Sequence, residues 1–244
     1  MSVHACPGPV LGLAERPDTL TNVVLEAVRS AIVNQELLAG TRVTEAGLAR
    51  QLNVSKTPVR EALLQLREIG LIEPDERRGG RILSPSRTTI SDAYEVREAL
   101  EMFAAAAAAA RAEERAIKRI HRIAERSLRA ARAGDLEEFK DADDEFHRAV
   151  AASAGNQRLE LSIERSLTLV SALRQRDVPG PAGSIECGQA HIRVAEALGT
   201  RDADGASRAM SAHVRHVAVL VLAAYDERHD ESGSSVRLPL TAAR

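Results

Sequence analysis

Ser55-Lys56-Thr57-Pro58-Val59-Arg60-Glu61-Ala62-Leu63 is the stretch on which the fold turns. Ser55 suits an N-cap, because a hydroxyl there can accept from the orphan N–H groups of a helix's first turn. Pro58 then falls at the third helical position, where its missing N–H costs little. Val54 and Val59 occupy the two positions of a hydrophobic staple, which sets the angle at which the chain enters the helix. Val59, Ala62, Leu63, Leu66 and Ile69 recur at helical spacing as a buried stripe, and Gly70 is the stop. Lys56, Thr57, Arg60 and Arg67 fall away from that stripe. The start of this helix therefore combines cations, a hydroxyl and the positive end of the helix dipole, a combination that suits phosphates and base edges in a major groove.

On the N-terminal side, Thr44 caps a short helix reaching about Leu52, and Asn53-Val54 makes a tight turn. Short helix, turn and long helix form a helix-turn-helix, with Arg50 on the short helix a further candidate DNA contact. An earlier helix spans about 19–35, with Leu20, Val24, Val28 and Ile32 along one stripe, and Gly40 closes the segment after it. On the C-terminal side, the apolar pieces Leu71-Ile72 and Arg81-Ile82-Leu83 flank the basic turn Glu76-Arg77-Arg78-Gly79-Gly80. That hairpin is a wing, bringing Arg77, Arg78 and Arg81 near a DNA backbone or minor groove. Between Arg42 and Arg87 there are nine Lys/Arg against six Asp/Glu, a local +3 in a chain of net charge −2. One basic module beside an acidic remainder fits a protein that touches an anionic partner with one part only.

The run Leu48-Ala49-x-x-Leu52-Asn53-Val54-Ser55-Lys56-Thr57-Pro58-Val59-Arg60-Glu61-Ala62-Leu63, then Gly70-Leu71-Ile72 and Arg78-Gly79-Gly80-Arg81-Ile82, resembles the winged helix-turn-helix of the GntR family of bacterial regulators. The likeness covers about residues 19–84. It implies DNA contacts from Lys56, Thr57 and Arg60, with Gly79 of the wing approaching the minor groove. Some members carry a DNA-contacting arginine where this chain has Ala46, so the resemblance does not supply an operator sequence.

At 244 residues the chain has room for one large or two modest domains, and 44% hydrophobic with 28% charged residues is an ordinary folded balance. Aromatic residues make up 2% and tryptophan is absent, which favours helices and argues against a large β-sandwich. Cys6 and Cys187 lie far apart, giving no disulfide framework and pointing to a reducing cytoplasmic compartment. The apolar tract Ala104–Ala110 is too short to span a membrane and runs straight into Arg111, Glu113, Glu114 and Arg115. Residues 1–16 lack a basic start followed by an apolar core and read as a loose tail. The expected organisation is the tail at 1–16, a winged helix-turn-helix over 17–84, a linker at 85–88, an all-helical domain over 89–230 and a tail at 231–244. The helices of the second domain fall near 89–112, 114–133, 135–154, 157–175, 184–199 and 202–228. The fold class is mainly α, a winged helix-turn-helix followed by an all-α bundle that binds a ligand.

Within that bundle, Leu136, Phe139, Phe146 and Val150 define an inward stripe, flanked by Asp143 and His147 one turn apart. His191 shares a stripe with Val194, Ala195 and Leu198. His213 lies between Met210 and Val217. Polar groups on apolar stripes need partners. A lone histidine is most simply a satisfied core imidazole. For the set, a metal ion would serve all four at once, and separate satisfaction is the alternative. His121, His216 and His229 read as surface residues, and Cys187 as a small buried thiol.

Asp143-x-x-Phe146-His147, His191 and Met210-x-x-His213 are similar to the FCD-type ligand-binding domain of FadR-like GntR regulators, over about 90–225. The resemblance implies that Asp143, His147, His191 and His213 hold a divalent ion (Zn, Ni or Mn), beside which a carboxylate effector binds. Tyr94-x-x-Arg97-x-x-x-Glu101 resembles the opening of that domain's first helix. Arg97 either binds the effector carboxylate through its guanidinium fork or bridges Glu101 at i, i+4. The reading is a cytoplasmic homodimeric transcription factor, not an enzyme, on a pseudo-palindromic double-stranded DNA operator, modulated by a small organic acid and independent of membranes. The rivals are a metalloenzyme with Asp/His₃ activating water and a DNA-binding protein whose helical domain only dimerises.

Overall fold

The structure, a computed structural model, describes residues 19–75, 79–174 and 181–234. The chain divides between Leu83 and Ser84 into two compact units.

In the first unit the elements are α1 (Leu20–Val33), β1 (Arg42–Thr44), α2 (Glu45–Gln51), α3 (Lys56–Ile69), β2 (Ile72–Pro74) and β3 (Gly79–Ile82). Val24, Val28 and Ile32 of α1 meet Val59, Ala62, Leu63 and Leu66 of α3, so two amphipathic stripes close one small core. α1 ends at Val33, well before Gly40, because Asn34 caps it and Gln35 turns the chain with φ 58°. Thr44 caps α2, its hydroxyl accepting from the Gly47 amide at 3.0 Å. Ser55 stands at the N-cap of α3 in extended backbone, but its hydroxyl makes no capping bond. Gly70 ends α3 at φ 88°, a conformation that favours glycine.

The sheet has the order β1-β3-β2, antiparallel throughout. β1 carried no signal in the sequence, since three residues are too few to show a period of two. Gly79 and Gly80, read as part of the hairpin tip, belong to β3 and pair with Thr44 and Val43. A Cβ on Gly80 would lie 2.2 Å from Ile72 Cγ2 and 2.8 Å from the Glu73 carbonyl, so the strands close only over a bare Cα. Arg77 and Arg78 lie outside the described residues.

The second unit is a helical bundle of α4 (Arg87–Arg111), α5 (Glu114–Ala133), α6 (Leu136–Ser153), α7 (Gln157–Arg174), α8 (Pro181–Gly199) and α9 (Ala203–Ser234). The expected helices recur with ends shifted by a few residues. α9 runs on through Ser234, past the boundary read at residue 230, while the tails at 1–16 and 235–244 lie outside the described residues. α4 packs on α6, α7 and α9, and α5 on α6 and α8. The alanine tract of α4 lets neighbours approach closely, with Ala104, Ala105, Ala108 and Ala109 at most 1% exposed. Ser211 and Arg215 of α9 both donate to Glu98 of α4 at 2.7 Å and fix that pair.

Candidate metal centre and candidate nucleic-acid interface

Six helices contribute to one buried polar cluster in the second unit. Asp143 and His147 come from α6, His191 from α8 and His213 from α9, and one ligand atom of each lies within 4.8 Å of the others. All four are buried. His191 Nε2 stands 3.3 Å and His147 Nε2 3.8 Å from Asp143 Oδ1. The Nε2 atoms of His147 and His213 face each other at 3.3 Å. The sequence thus named four residues that the fold brings to one point.

The residues behind the cluster were not read as ligand supports: Ser127 was not singled out, and Glu101 was read only as a bridge for Arg97. His147 Nδ1 makes a short hydrogen bond to Glu101 Oε2 of α4. His191 Nδ1 lies 2.8 Å from Ser127 Oγ of α5, which donates in turn to the Ala124 carbonyl. Ser127 having given its proton away, His191 Nδ1 must be the donor to it. The Nε2 lone pairs of both rings are therefore left facing the cluster, the tautomer that a metal-binding histidine needs. Phe146 stacks on His191 at a centroid distance of 4.2 Å and holds the ring's plane.

Two guanidiniums border the cluster. Arg97, 1% exposed, donates through Nε to Glu101 Oε1 at 2.5 Å and through Nη2 to His147 Nε2 at 2.8 Å. The i, i+4 bridge to Glu101 is thus present, and the same side chain also reaches the histidines. Arg174, at the end of α7, donates through Nη1 to Asp143 Oδ2 at 3.3 Å. Among the described residues, Tyr94 Oη, Arg174 Nε, His191 Nε2 and His213 Nδ1 have no hydrogen-bond partner.

The electrostatics suit cation binding. Burial pulls His191 and His213 below the usual imidazole range, His213 strongly so, keeping them neutral. Burial would raise Asp143, but the adjoining His191 ring and the charge of Arg174 hold it well below the carboxylate range. Against the same burial, Arg97 and His147 bring Glu101 down to about 2. Burial pushes the Cys187 thiol up to about 12, so it stays protonated. Three imidazole nitrogens and one carboxylate oxygen make a donor set for a divalent transition ion. His121 and His216 are surface residues paired with Glu125 and Glu186.

In the first unit, Lys56, Thr57 and Arg60 line the exposed start of α3. Arg60 is held in a fork by Glu45 of α2, Nε to Oε1 at 3.1 Å and Nη2 to Oε2 at 3.0 Å. Arg50 is exposed and donates to the Ala46 carbonyl at 3.3 Å. Gly79 is buried in β3, its carbonyl accepting from Arg67, and Arg81 donates to the Gly40 carbonyl at 2.7 Å.

Among the described residues, no helix is long and apolar enough to cross a membrane. Residues 20–82 match the family model described as bacterial regulatory proteins, gntR family, and residues 92–216 match the FCD domain. The putative L-lactate dehydrogenase operon regulatory protein of Escherichia coli K12 is 30% identical, covering 91% of this chain and 94% of its own. The HTH-type transcriptional repressor RspR of the same organism is 27% identical over 85% of this chain and 91% of its own. The solved structure of E. coli McbR/YncC shares the fold, with a TM-score of 0.71 at 21% identity over 85% of this chain and 99% of that one.

Proposed function

The chain belongs to the GntR family of bacterial regulatory proteins and carries an FCD domain, and from that premise we propose that it is a metal-dependent, carboxylate-responsive repressor. It is a DNA-binding transcriptional regulator and not an enzyme. The repressor sense follows the relative RspR, and operator binding would occur in the cytoplasm as a homodimer on a pseudo-palindrome.

The observation that carries the proposal is the convergence of Asp143, His147, His191 and His213, with His147 and His191 anchored from behind by Glu101 and Ser127. These four residues would hold a divalent ion, Zn, Ni or Mn by donor type, and the ion would supply a Lewis-acid pole for a carboxylate. Arg97 couples the two ligands. A guanidinium only donates, and His147 Nε2 has one lone pair, which Arg97 Nη2 occupies. A cation taking that lone pair leaves Arg97 Nη2 without an acceptor, and an effector carboxylate restores one.

On the DNA side, Lys56, Thr57 and Arg60 at the start of α3, with Arg50 of α2, would meet the major groove, and Arg78 and Gly79 of the wing the minor groove. Exposure of the first four supports this reading. Elemental analysis of the purified protein tests the proposal. About one divalent ion per chain is expected, reduced in His191→Ala. Protein that carries no ion and acquires none on soaking with zinc(II) would sink the metal reading.

A further inference from the structure

The charges around the cluster, summed, say what kind of acid completes it. Arg97 and Arg174 contribute two positive charges, Glu101 and Asp143 two negative ones. The histidines add none once an ion is held, because a ring that gives one nitrogen's lone pair to a cation keeps its single proton on the other. Among the described residues, the charged groups of the cluster therefore balance to zero. A divalent ion leaves two positive charges uncompensated in a buried site, which is costly.

The positive charge also has two poles. Asp143 separates them, with Oδ1 turned to His147 and His191 and Oδ2 turned to Arg174. Arg174 keeps a buried Nε unpartnered among the described residues, as does the Tyr94 hydroxyl, which lies in the field of Arg174, Arg97 and Asp143. Both await an acceptor that this part of the protein does not provide. Resting on the metal-and-carboxylate reading above, we propose that the effector is a small dicarboxylate, with one carboxylate for the cation and Arg97 and the second for Arg174. A monocarboxylate would leave one charge and one guanidinium unanswered. A compact dianion would meet a single pole.

Isothermal titration of the zinc(II)-loaded full chain with succinate and L-malate, against butyrate, 2-hydroxybutyrate and sulfate, tests this. The dicarboxylates should bind at least about tenfold more tightly than their four-carbon monoacid partners, a difference of about 1.4 kcal/mol. Arg174→Gln, reloaded with zinc(II) and its metal content verified, should erase that preference by losing diacid affinity, and Arg174→Lys should restore part of it. Equal affinity for mono- and diacids in the wild-type chain, or a preference that survives Arg174→Gln, overturns the dicarboxylate while the carboxylate site stands. Sulfate binding as tightly as succinate also overturns it. A zinc-loaded chain that binds none of the acids overturns both this inference and the effector reading beneath it.

Discussion

Two tethers decide how the histidines present themselves, and both come from residues that pattern reading passed over as ligand supports. Asp143 and His147 were legible because they are one turn apart on one helix, and His191 and His213 because each interrupts an apolar stripe. Glu101, Ser127 and Arg174 sit on three other helices, and spacing along one element says nothing about what another element brings beside it. Glu101 holds His147 Nδ1 and Arg97 together. Glu101→Gln should therefore weaken metal binding by about 10- to 100-fold, the usual scale for losing such a support. A chelator-competition titration reads this directly, and unchanged affinity would show that Glu101 serves only Arg97. On the DNA side, Arg60→Ala should abolish specific operator binding while the circular dichroism spectrum is kept. Retained affinity in a gel-shift assay would remove Arg60 from base recognition.

At the scale of elements, the helices were readable because caps and stops bracket them: Thr44, Gly70, Ser86 and Gly134 all stand at helix ends. Strand β1 was not readable, since its register is set by β3 rather than by its own three residues. Helix-to-helix distance was equally hidden. Gly188 of α8 packs against α5 so closely that a Cβ would lie 2.8 Å from Leu128 Cα and 3.1 Å from its nitrogen. The same two helices carry His191 and Ser127, one turn and less away from the contact. Gly188→Ala should cost about 1–3 kcal/mol through forced backbone movement and loosen the Ser127–His191 tether. Thermal melts should show a lower midpoint, and zinc affinity should fall with it. A variant with unaltered melting and metal affinity would mean that α5 and α8 can separate freely.

For the molecule as a whole, an ion bound by residues from α6, α8 and α9 would tie together three helices of the second unit and would bind only when they are assembled. Chelation should lower the melting temperature, and zinc(II) in about hundredfold excess over its Kd should restore about 2.7 kcal/mol. His191→Ala should make melting indifferent to both, and a chelator effect that persists in that variant would place the ion elsewhere. Regulation requires more than binding: the effector must favour one DNA-binding state over another. The direct measurement is a fluorescence-anisotropy titration of the zinc(II)-loaded chain on a duplex selected from a randomised library, with and without a saturating dicarboxylate. The expected result is at least about a fivefold change in operator Kd for the wild-type chain and none for His191→Ala. An operator Kd that the acid leaves unchanged in the wild-type chain, or shifts equally in His191→Ala, would contradict it.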